Sequence, residues 1–554
     1  MPGGTPQTLR PFLWRAANLY PDTEIVSRTH DGIERYDYAT YADRTAQLAN
    51  ALDDAGVPED ARVATFCWNH HRHFETYFGV PTTGRQLHTI NPLLPDEHVQ
   101  YIVDNADDAL LFVDPSLVEK LAGAAEGAAE FDTVEQFVVM GESVPETTLS
   151  PVTDYESFIE GRATEYDWPE LSEDRPAGMC YTSGTTGRPK GVEYTHQMLW
   201  SHTMTTMTPQ GLGVADDDVV MPVVPMFHVN AWGMPFSTTA AGAKHVYPGP
   251  SPDPADLAKL IEEEGVTITA GVPTVWLGLR DYVQAGNNVD FSALETVIVG
   301  GAAAPKAMIE WFDDRDVEVL HAWGMTEMSP IGTVAHLKSG LGESLSYDEQ
   351  VDKRAKQGLA VPGLEFKVID DDGEEIEWNG EDFGELYVRG PWVTQEYFKR
   401  PEANEEDFDG QWLKTGDVVS VDPDGYVKIV DRAKDVIKSG GEWISSVELE
   451  NAIMAHDDVS EAAVVGVPHE RWQERPVAFV VPVEGADVVR LKRELREMIT
   501  DEYPKWWLPD DFVEIDEVPK TATGKFSKMD LREEYADESL VEGQTPEDAA
   551  PEED

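Results

Sequence analysis

The stretch YTSGTTGRPKGVEYTH, residues 181–196, sets three glycines, a proline and a lysine within a run of hydroxyl side chains. A strand-like run, AGMCY, leads into it. Gly184 and Gly187 let the backbone turn tightly enough for its N–H groups to converge on an anion. Thr182, Ser183, Thr185 and Thr186 add hydroxyl donors, and Lys190 adds a positive charge. The spacing is not that of the common nucleotide loop, G-x-x-x-x-G-K-[ST]. From the residues alone, a phosphate loop and an ordinary polar turn are even alternatives.

Around this loop, strand-like runs (ARVATFCW, ALLFVD, QFVVMG, VTITAG, ETVIVGG) alternate with helical stretches such as DEHVQYIVDNA and DPADLAKLIEEEG. In the last of these an aspartate and a proline open the helix and a glycine follows it. Strands spaced by helices predict an α/β fold with largely parallel sheet. From about residue 360 the texture changes to glycine-punctuated strands, LEFKVIDDDG, GELYVRG and GYVKIVDR. The reading is a large multi-sheet α/β N-terminal body, 1–432, with a β-rich subdomain at about 360–432. A small α+β C-terminal domain, 433–536, should follow. It is expected as helix SVELENAIMAH, strands EAAVVGVP and PVAFVVPV, helix VRLKRELREMITDEY and a short strand at DFVEI. The acidic tail, 537–554, holds little to bury and is expected to be disordered.

The chain has 42 Lys and Arg against 105 Asp and Glu among 554 residues, a formal charge of -63. Apolar residues make up 41%, and aromatic residues recur along most of its length, so this is a folded chain despite its charge. The carboxylates are spread out rather than gathered in one tail. Their mutual repulsion is tolerable where salt shortens the Debye length to roughly 3 Å at 1 M. That coat suits a hypersaline cytoplasm, such as that of a halophilic archaeon; an acidic protein of an ordinary cell is the plainer alternative. Nucleic-acid binding is excluded as a general function, because it needs a net positive surface. Cys67 and Cys180 allow no disulfide framework and no cysteine-rich metal site, and Cys180 reads as a small buried side chain. No secretory leader and no apolar run of ~18 residues stands out, so a soluble cytoplasmic protein is expected.

Further motifs follow the loop: PVVPMFHVNAWG at 222–233, VIVGGAAAP at 297–305, HAWGMTEMSP at 321–330, WLKTGD at 412–417, VDRAKD with Arg432, and PKTATGKFSKMDLR at 519–532. Each alone has a plain reading, as a core histidine, a strand-to-helix turn, a turn aspartate or a solvated lysine. In this order, over roughly residues 35–530, they resemble the adenylate-forming (ANL) superfamily of acyl-CoA synthetases, amino-acid-activating peptide synthetase domains and firefly luciferase. The wording is most similar to the branch of medium- and long-chain fatty-acyl-CoA synthetases (AMP-forming).

The resemblance implies a nucleotide site made of Thr182, Ser183, Gly184, Thr185, Thr186 and Gly187 with Gly301, Ala302, Trp323, Gly324, Met325, Thr326, Asp417, Arg432 and Lys525. Trp323 stands where many members have tyrosine, which keeps a flat face for adenine and loses a hydroxyl. Asp417 would accept from the ribose hydroxyls. The implied catalytic residues are Thr185, Lys190, Thr326, Glu327 and Lys525. Among them Glu327 is linked to magnesium, a hard cation that prefers oxygen ligands. Lys525 enters the cavity in the first half-reaction and offsets developing charge; Lys520 and Lys528 read as surface charges. His228, Val229, Asn230, Trp232 and Gly300 would shape the acyl pocket. No proton transfer falls to His228, because the acid is already ionised near neutral pH.

By the same resemblance Lys434 is the hinge about which the C-terminal domain rotates. Lys438, Gly440, Gly441, Glu442 and Trp443 would then serve the CoA step, with Gly441 lining the pantetheine tunnel. Ser445 or Ser446 is the expected N-cap of the next helix, with Glu448 in its first turn. Expected co-substrates are ATP with Mg2+, coenzyme A and a small-molecule carboxylate. A medium-chain fatty acid stands first, Trp232 shortening the pocket. Aromatic, branched or short thioether acids, a carrier-loading ligase and an inactive adenylate-binding regulator follow as alternatives. A homodimer is left open. Lys190, Arg432, Lys434, Lys438 and Lys525 would have to make a locally positive mouth.

Overall fold

The computed structural model describes residues 4–29, 32–182, 188–439, 442–456, 458–469, 471–483, 485–520 and 526–535. The acidic tail expected from 537 lies outside them. The described residues form four sheets. One has nine strands, in the order Leu359–Ala360, Ile331–Val334, Glu318–Gly324, Thr296–Val299, Ile268–Gly271, Val219–Pro222, Lys244–Tyr247, Glu24–Thr29 and Gly32–Asp37. Another has seven, in the order Val152–Asp154, Gln136–Val139, Asp108–Val113, Arg62–Phe66, Gln86–Thr89, Pro176–Tyr181 and Gly191–Thr195. Their central strands are parallel and their antiparallel pairs lie toward the edges, as the alternation of strand and helix patterns predicts.

A shared core joins the two large sheets, with Val63, Leu87 and Phe112 of one beside Val220, Ile298 and Leu320 of the other. Helix Met234–Ala241 runs through this core with every residue buried, which explains its small, uncharged sequence MPFSTTAA. Helix Pro254–Glu264 forms as its sequence dictates. Asp253 and Asp256 make a reciprocal capping box, Pro254 occupies the first turn, and Gly265 closes the helix at φ +65°. Phe74 stacks on Tyr41 at 4.4 Å in this core, and truncating a ring so placed costs about 3–5 kcal/mol.

The third sheet is antiparallel: Glu365–Ile369, Phe383–Arg389, Trp412–Val421 and Phe408–Asp409, with Val427–Arg432 paired to Trp412–Val421. The fourth belongs to the smaller C-terminal domain and contains Ile437–Ser439, Glu442–Ile444, Val459–His469, Gln473–Pro482 and Asp511–Glu514. Helices Ser446–Met454 and Val488–Glu502 bury Leu449, Ile453, Leu491 and Leu495 against it. Ser445 caps the first of them through the Glu448 amide, as expected. A further helix, Lys528–Tyr535, covers another part of the sheet with Leu531 fully buried. No helix is expected there from the sequence.

Candidate active site

The candidate residues converge because their motifs sit where parallel strands end. The glycine-rich loop follows strand Pro176–Tyr181, the small-residue turn follows Thr296–Val299, and the Thr-Glu motif follows Glu318–Gly324. Loops at the carboxyl ends of such strands are where open α/β sheets bind ligands.

Ser183, Gly184, Thr185, Thr186 and Gly187 lie outside the described residues. The two ends of their loop are tied: the Thr182 amide donates to the Lys190 carbonyl at 3.0 Å, and the Lys190 amide donates to Thr182 Oγ1 at 3.1 Å. Gly191 leaves little room for a side chain, since a Cβ would come 3.0 Å from the Tyr181 ring, which would have to shift. Lys190 does not extend freely. Its Nζ lies 2.5 Å from Asp407 Oδ2 and 4.4 Å from the centre of the Tyr397 ring. Neither Asp407 nor Tyr397 was named from sequence.

Tyr397 also reaches the Thr-Glu motif. Its hydroxyl donates to Glu327 Oε1 at 2.8 Å, while the Thr394 amide donates to the Glu327 carbonyl at 2.8 Å. The Tyr194 hydroxyl holds the neighbouring Thr326 carbonyl, also at 2.8 Å. Glu327 is 6% exposed. Burial holds its carboxyl above the ordinary range, opposed by the Tyr397 hydrogen bond and by the charges of Lys190 and Arg432. Gly324, two residues before Thr326, admits no side chain, because a Cβ would fall 2.0 Å from the Pro330 carbonyl. Met325 donates its amide to that same carbonyl.

Trp323 uses its indole directly. Its N–H donates to Asp417 Oδ2 at 3.0 Å, and Arg432 Nε meets Asp417 Oδ1 at 2.8 Å. Asp417 and Arg432 are direct partners across neighbouring strands, which fixes the pair. A carboxylate has about four acceptor positions, so two donors leave capacity for ribose hydroxyls. The indole edge presses on Gly332, where a Cβ would sit 2.6 Å from it.

In the motif at 222–233, Val229, Asn230, Ala231 and Trp232 all have positive φ, from +38° to +58°. A left-handed run of non-glycine residues costs roughly 1–2 kcal/mol per residue and needs its surroundings to hold it. Here Val229, Asn230 and Ala231 are buried. Asn230 alone among these four is a residue type that readily takes positive φ. Trp232 closes against Gly300, whose missing Cβ would stand 3.0 Å from both the indole and the Ala322 carbonyl. The expected wall of Trp232 and Gly300 is therefore one contact surface, with His228 half-buried at its start. Asn230 lies beside Cys180, 4.0 Å from Oδ1 to Sγ, and its buried amide nitrogen has no hydrogen-bond partner among the described residues. Cys180 is buried, as expected, and burial pushes its thiol up to about 11. Gly301, at φ +79°, and Ala302 are exposed beside this wall.

Lys434 is held below the ordinary lysine range by desolvation, with Asp435 opposing and Arg432, Arg532 and Lys190 adding to the shift. The expected cluster of cations thus includes Lys190, Arg432 and Lys434. Lys438 Nζ meets Asp371 Oδ2 of the body at 3.1 Å. Gly440, Gly441 and Lys525 lie outside the described residues, and Glu442 and Trp443 are placed only as strand backbone.

Lys528 corrects the sequence reading. It is not an open surface charge: its side chain keeps only 10% of its exposure, lies 2.8 Å from Glu450 Oε1 and is hydrogen-bonded to Ser446 Oγ. The Ser446 amide in turn donates to Asp431 Oδ2 at 2.7 Å. Its polar neighbourhood in sequence, GKFSKMDLR, hides the fact that two acidic partners about 80 and 100 residues upstream enclose it.

The family model for AMP-binding enzymes matches residues 13–398, and the model for the AMP-binding enzyme C-terminal domain matches 448–525. A long-chain-fatty-acid–CoA ligase of Thermus thermophilus is 45% identical over 95% of both chains. A 3-methylmercaptopropionyl-CoA ligase of Ruegeria lacuscaerulensis is 41% identical, covering 96% of this chain and 98% of its own. A medium-chain-fatty-acid–CoA ligase of Ectopseudomonas oleovorans is also 41% identical, covering 94% and 95%. Among solved structures, ATP-bound MatB of Rhodopseudomonas palustris superposes with a TM-score of 0.80 at 25% identity, covering 96% of this chain and 99% of that one. Among the described residues no helix is long and apolar enough to cross a membrane.

Proposed function

The chain belongs to the AMP-binding enzymes, and from that premise we propose that it joins a medium-chain fatty acid to coenzyme A by way of an acyl-AMP. The observation that carries the reading is identity of 41–45% to fatty-acid–CoA ligases along nearly the whole chain. It is an ATP-dependent, AMP-forming acid–thiol ligase.

In the first half-reaction a carboxylate oxygen of the acid attacks the α-phosphorus of ATP and pyrophosphate leaves. In the second, the CoA sulfur attacks the acyl-AMP carbonyl and AMP leaves, its proton having gone to solvent. Alignment and charge compensation do most of this work. Asp417 and Arg432 hold the ribose, Trp323 backs the base, Thr326 and Lys190 face the phosphates, and Lys525 offsets charge at the reacting carboxylate. His228, Asn230, Trp232 and Gly300 bound the acyl chain. The C-terminal domain, from 433, turns about Lys434 between the two steps and presents 438–443 to CoA.

Glu327 fits a magnesium ion. It is a buried oxygen donor whose carboxyl carries one hydrogen bond, from Tyr397, and no group of three or more His, Cys, Asp or Glu competes for a metal among the described residues. A magnesium ion held by one carboxylate, phosphates and water is the usual arrangement with nucleotides, and when bound it neutralises phosphate charge.

The experiment is a release assay for pyrophosphate and AMP in multimolar KCl with ATP, magnesium and CoA, across acids from propionate to palmitate. An optimum at C6–C12 with the thioester confirmed by mass supports the reading. The ligase for a short thioether acid is as similar as the medium-chain one, so methylmercaptopropionate belongs on the panel, and an optimum there replaces the fatty acid. Benzoate and a branched acid test the remaining acids, and a carrier protein supplied in place of CoA tests loading. A cytoplasmic homodimer completes the reading. Light scattering reports the mass and so tests for the second copy.

A further inference from the structure

Lys190 and Arg432 are both held by carboxylates, but the two pairs differ in what a nucleotide would meet. Asp417 accepts from Arg432 and has acceptor capacity left for ribose hydroxyls. Asp407 offers the phosphates nothing, since a carboxylate only accepts hydrogen bonds and a triphosphate has none to give. Yet Asp407 Oδ2 stands 2.5 Å from Lys190 Nζ, and the Tyr397 ring lies against the same ammonium.

The cradle is built. Asp407 ends helix Pro401–Asp407, and Phe408, the next residue, packs on the Tyr397 ring with centroids 5.6 Å apart. The Tyr397 backbone is clasped by Asn404 of that helix: the Tyr397 amide donates to Asn404 Oδ1 at 2.6 Å, and Asn404 Nδ2 donates to the Tyr397 carbonyl at 3.2 Å. Helix end, ring and ammonium are therefore fixed together. The Lys190 and Asp407 side chains keep 34% and 26% of their exposure, so the pair is half-buried and open to an incoming anion.

We propose that Asp407 is a resting counter-ion for Lys190 that the nucleotide's phosphates displace, so that Asp407 lowers affinity for ATP. This rests on the ATP-binding reading above. An ammonium in contact with a carboxylate attracts a distant anion only weakly, and an anion that reaches it meets the carboxylate's repulsion. Binding is then discounted by the fraction of molecules in which Lys190 remains paired.

The test is the dissociation constant of ATP, with magnesium in 1 M KCl, by calorimetry on the full chain, for wild type, Asp407→Asn, Lys190→Met and the double variant. Asp407→Asn should tighten ATP about two- to fivefold, the range expected for releasing a partly exposed ion pair. In the Lys190→Met background the same substitution should change nothing. Glu405→Gln, which removes an exposed charge on the same helix, should leave affinity unchanged. Unchanged or weaker binding by Asp407→Asn overturns the proposal, as does equal tightening in the Lys190→Met background or by Glu405→Gln. If wild type binds no ATP at all, the ATP-binding reading itself fails, a distinct result.

Discussion

The Trp323 indole N–H lies 3.0 Å from Asp417 Oδ2, so the residue that would back the base is tied to the residue that would hold the ribose. Replacing Trp323 with phenylalanine keeps a flat ring and removes that donor. A hydrogen bond to a charged group is worth about 1.5–3 kcal/mol, so the dissociation constant of ATP should rise by roughly tenfold or more. Calorimetric titration checks this, and an unchanged constant would leave the indole N–H without a role in nucleotide binding.

Trp232 pressed on Gly300 should set the length of acid accepted. Trp232→Ala is expected to raise kcat/KM for palmitate relative to octanoate by about tenfold or more, because one methylene discriminates by about 1–3 kcal/mol. The acid panel measures the ratio. A uniform fall across all chain lengths would assign Trp232 to holding the left-handed turn instead.

Lys528→Met leaves Asp431 and Glu450 buried without their shared cation. Removing one partner of a buried pair costs about 3–5 kcal/mol. Burial already holds both carboxyl groups above the usual range. A carboxyl with a raised native pKa binds more protons folded than unfolded between its two pKa values, so stability falls as pH rises through that window and returns as pH is lowered. The deficit of Lys528→Met should therefore shrink between pH 8 and pH 5 in denaturant melts. A constant deficit would mean that packing, not charge, is lost.

The charge of -63 predicts salt dependence. At 1 M salt the Debye length is roughly 3 Å, and repulsion between carboxylates farther apart than that is suppressed. The thermal midpoint and the rate of AMP release should both rise from 0.2 to 3 M KCl. Half-buried contacts such as Lys353 with Asp422, 2.7 Å apart, are screened less and persist. Greatest activity without added salt would overturn the hypersaline reading.

Local pattern carried most of the fold. The caps of helix Pro254–Glu264, the strand-rich texture after 360 and the α+β order after 433 were all written in neighbouring residues. The motifs holding Trp323, Glu327, Asp417 and Arg432, singled out by residue type and order, do come together. What sequence withheld was pairing over distance. Asp407 is 217 residues from Lys190, and Tyr397 is 70 from Glu327, with no periodicity to connect them. The left-handed run 229–232 was hidden for another reason: only Asn230 is of a type that ordinarily takes positive φ, and Val229, Ala231 and Trp232 are not.

The indole edge at Gly332 also restricts the order in which this chain can change. With tryptophan at 323, any side chain at 332 collides, since its first carbon would stand 2.6 Å from the ring. A smaller aromatic at 323 must come first, and the Met328 methyl, also 2.6 Å from that first carbon, must swing aside before 332 can vary. The return path is narrower: once 332 has gained a side chain, tryptophan cannot be restored in a single step. Two positions nine apart in sequence therefore act as a ratchet on how the surroundings of Trp323 can change.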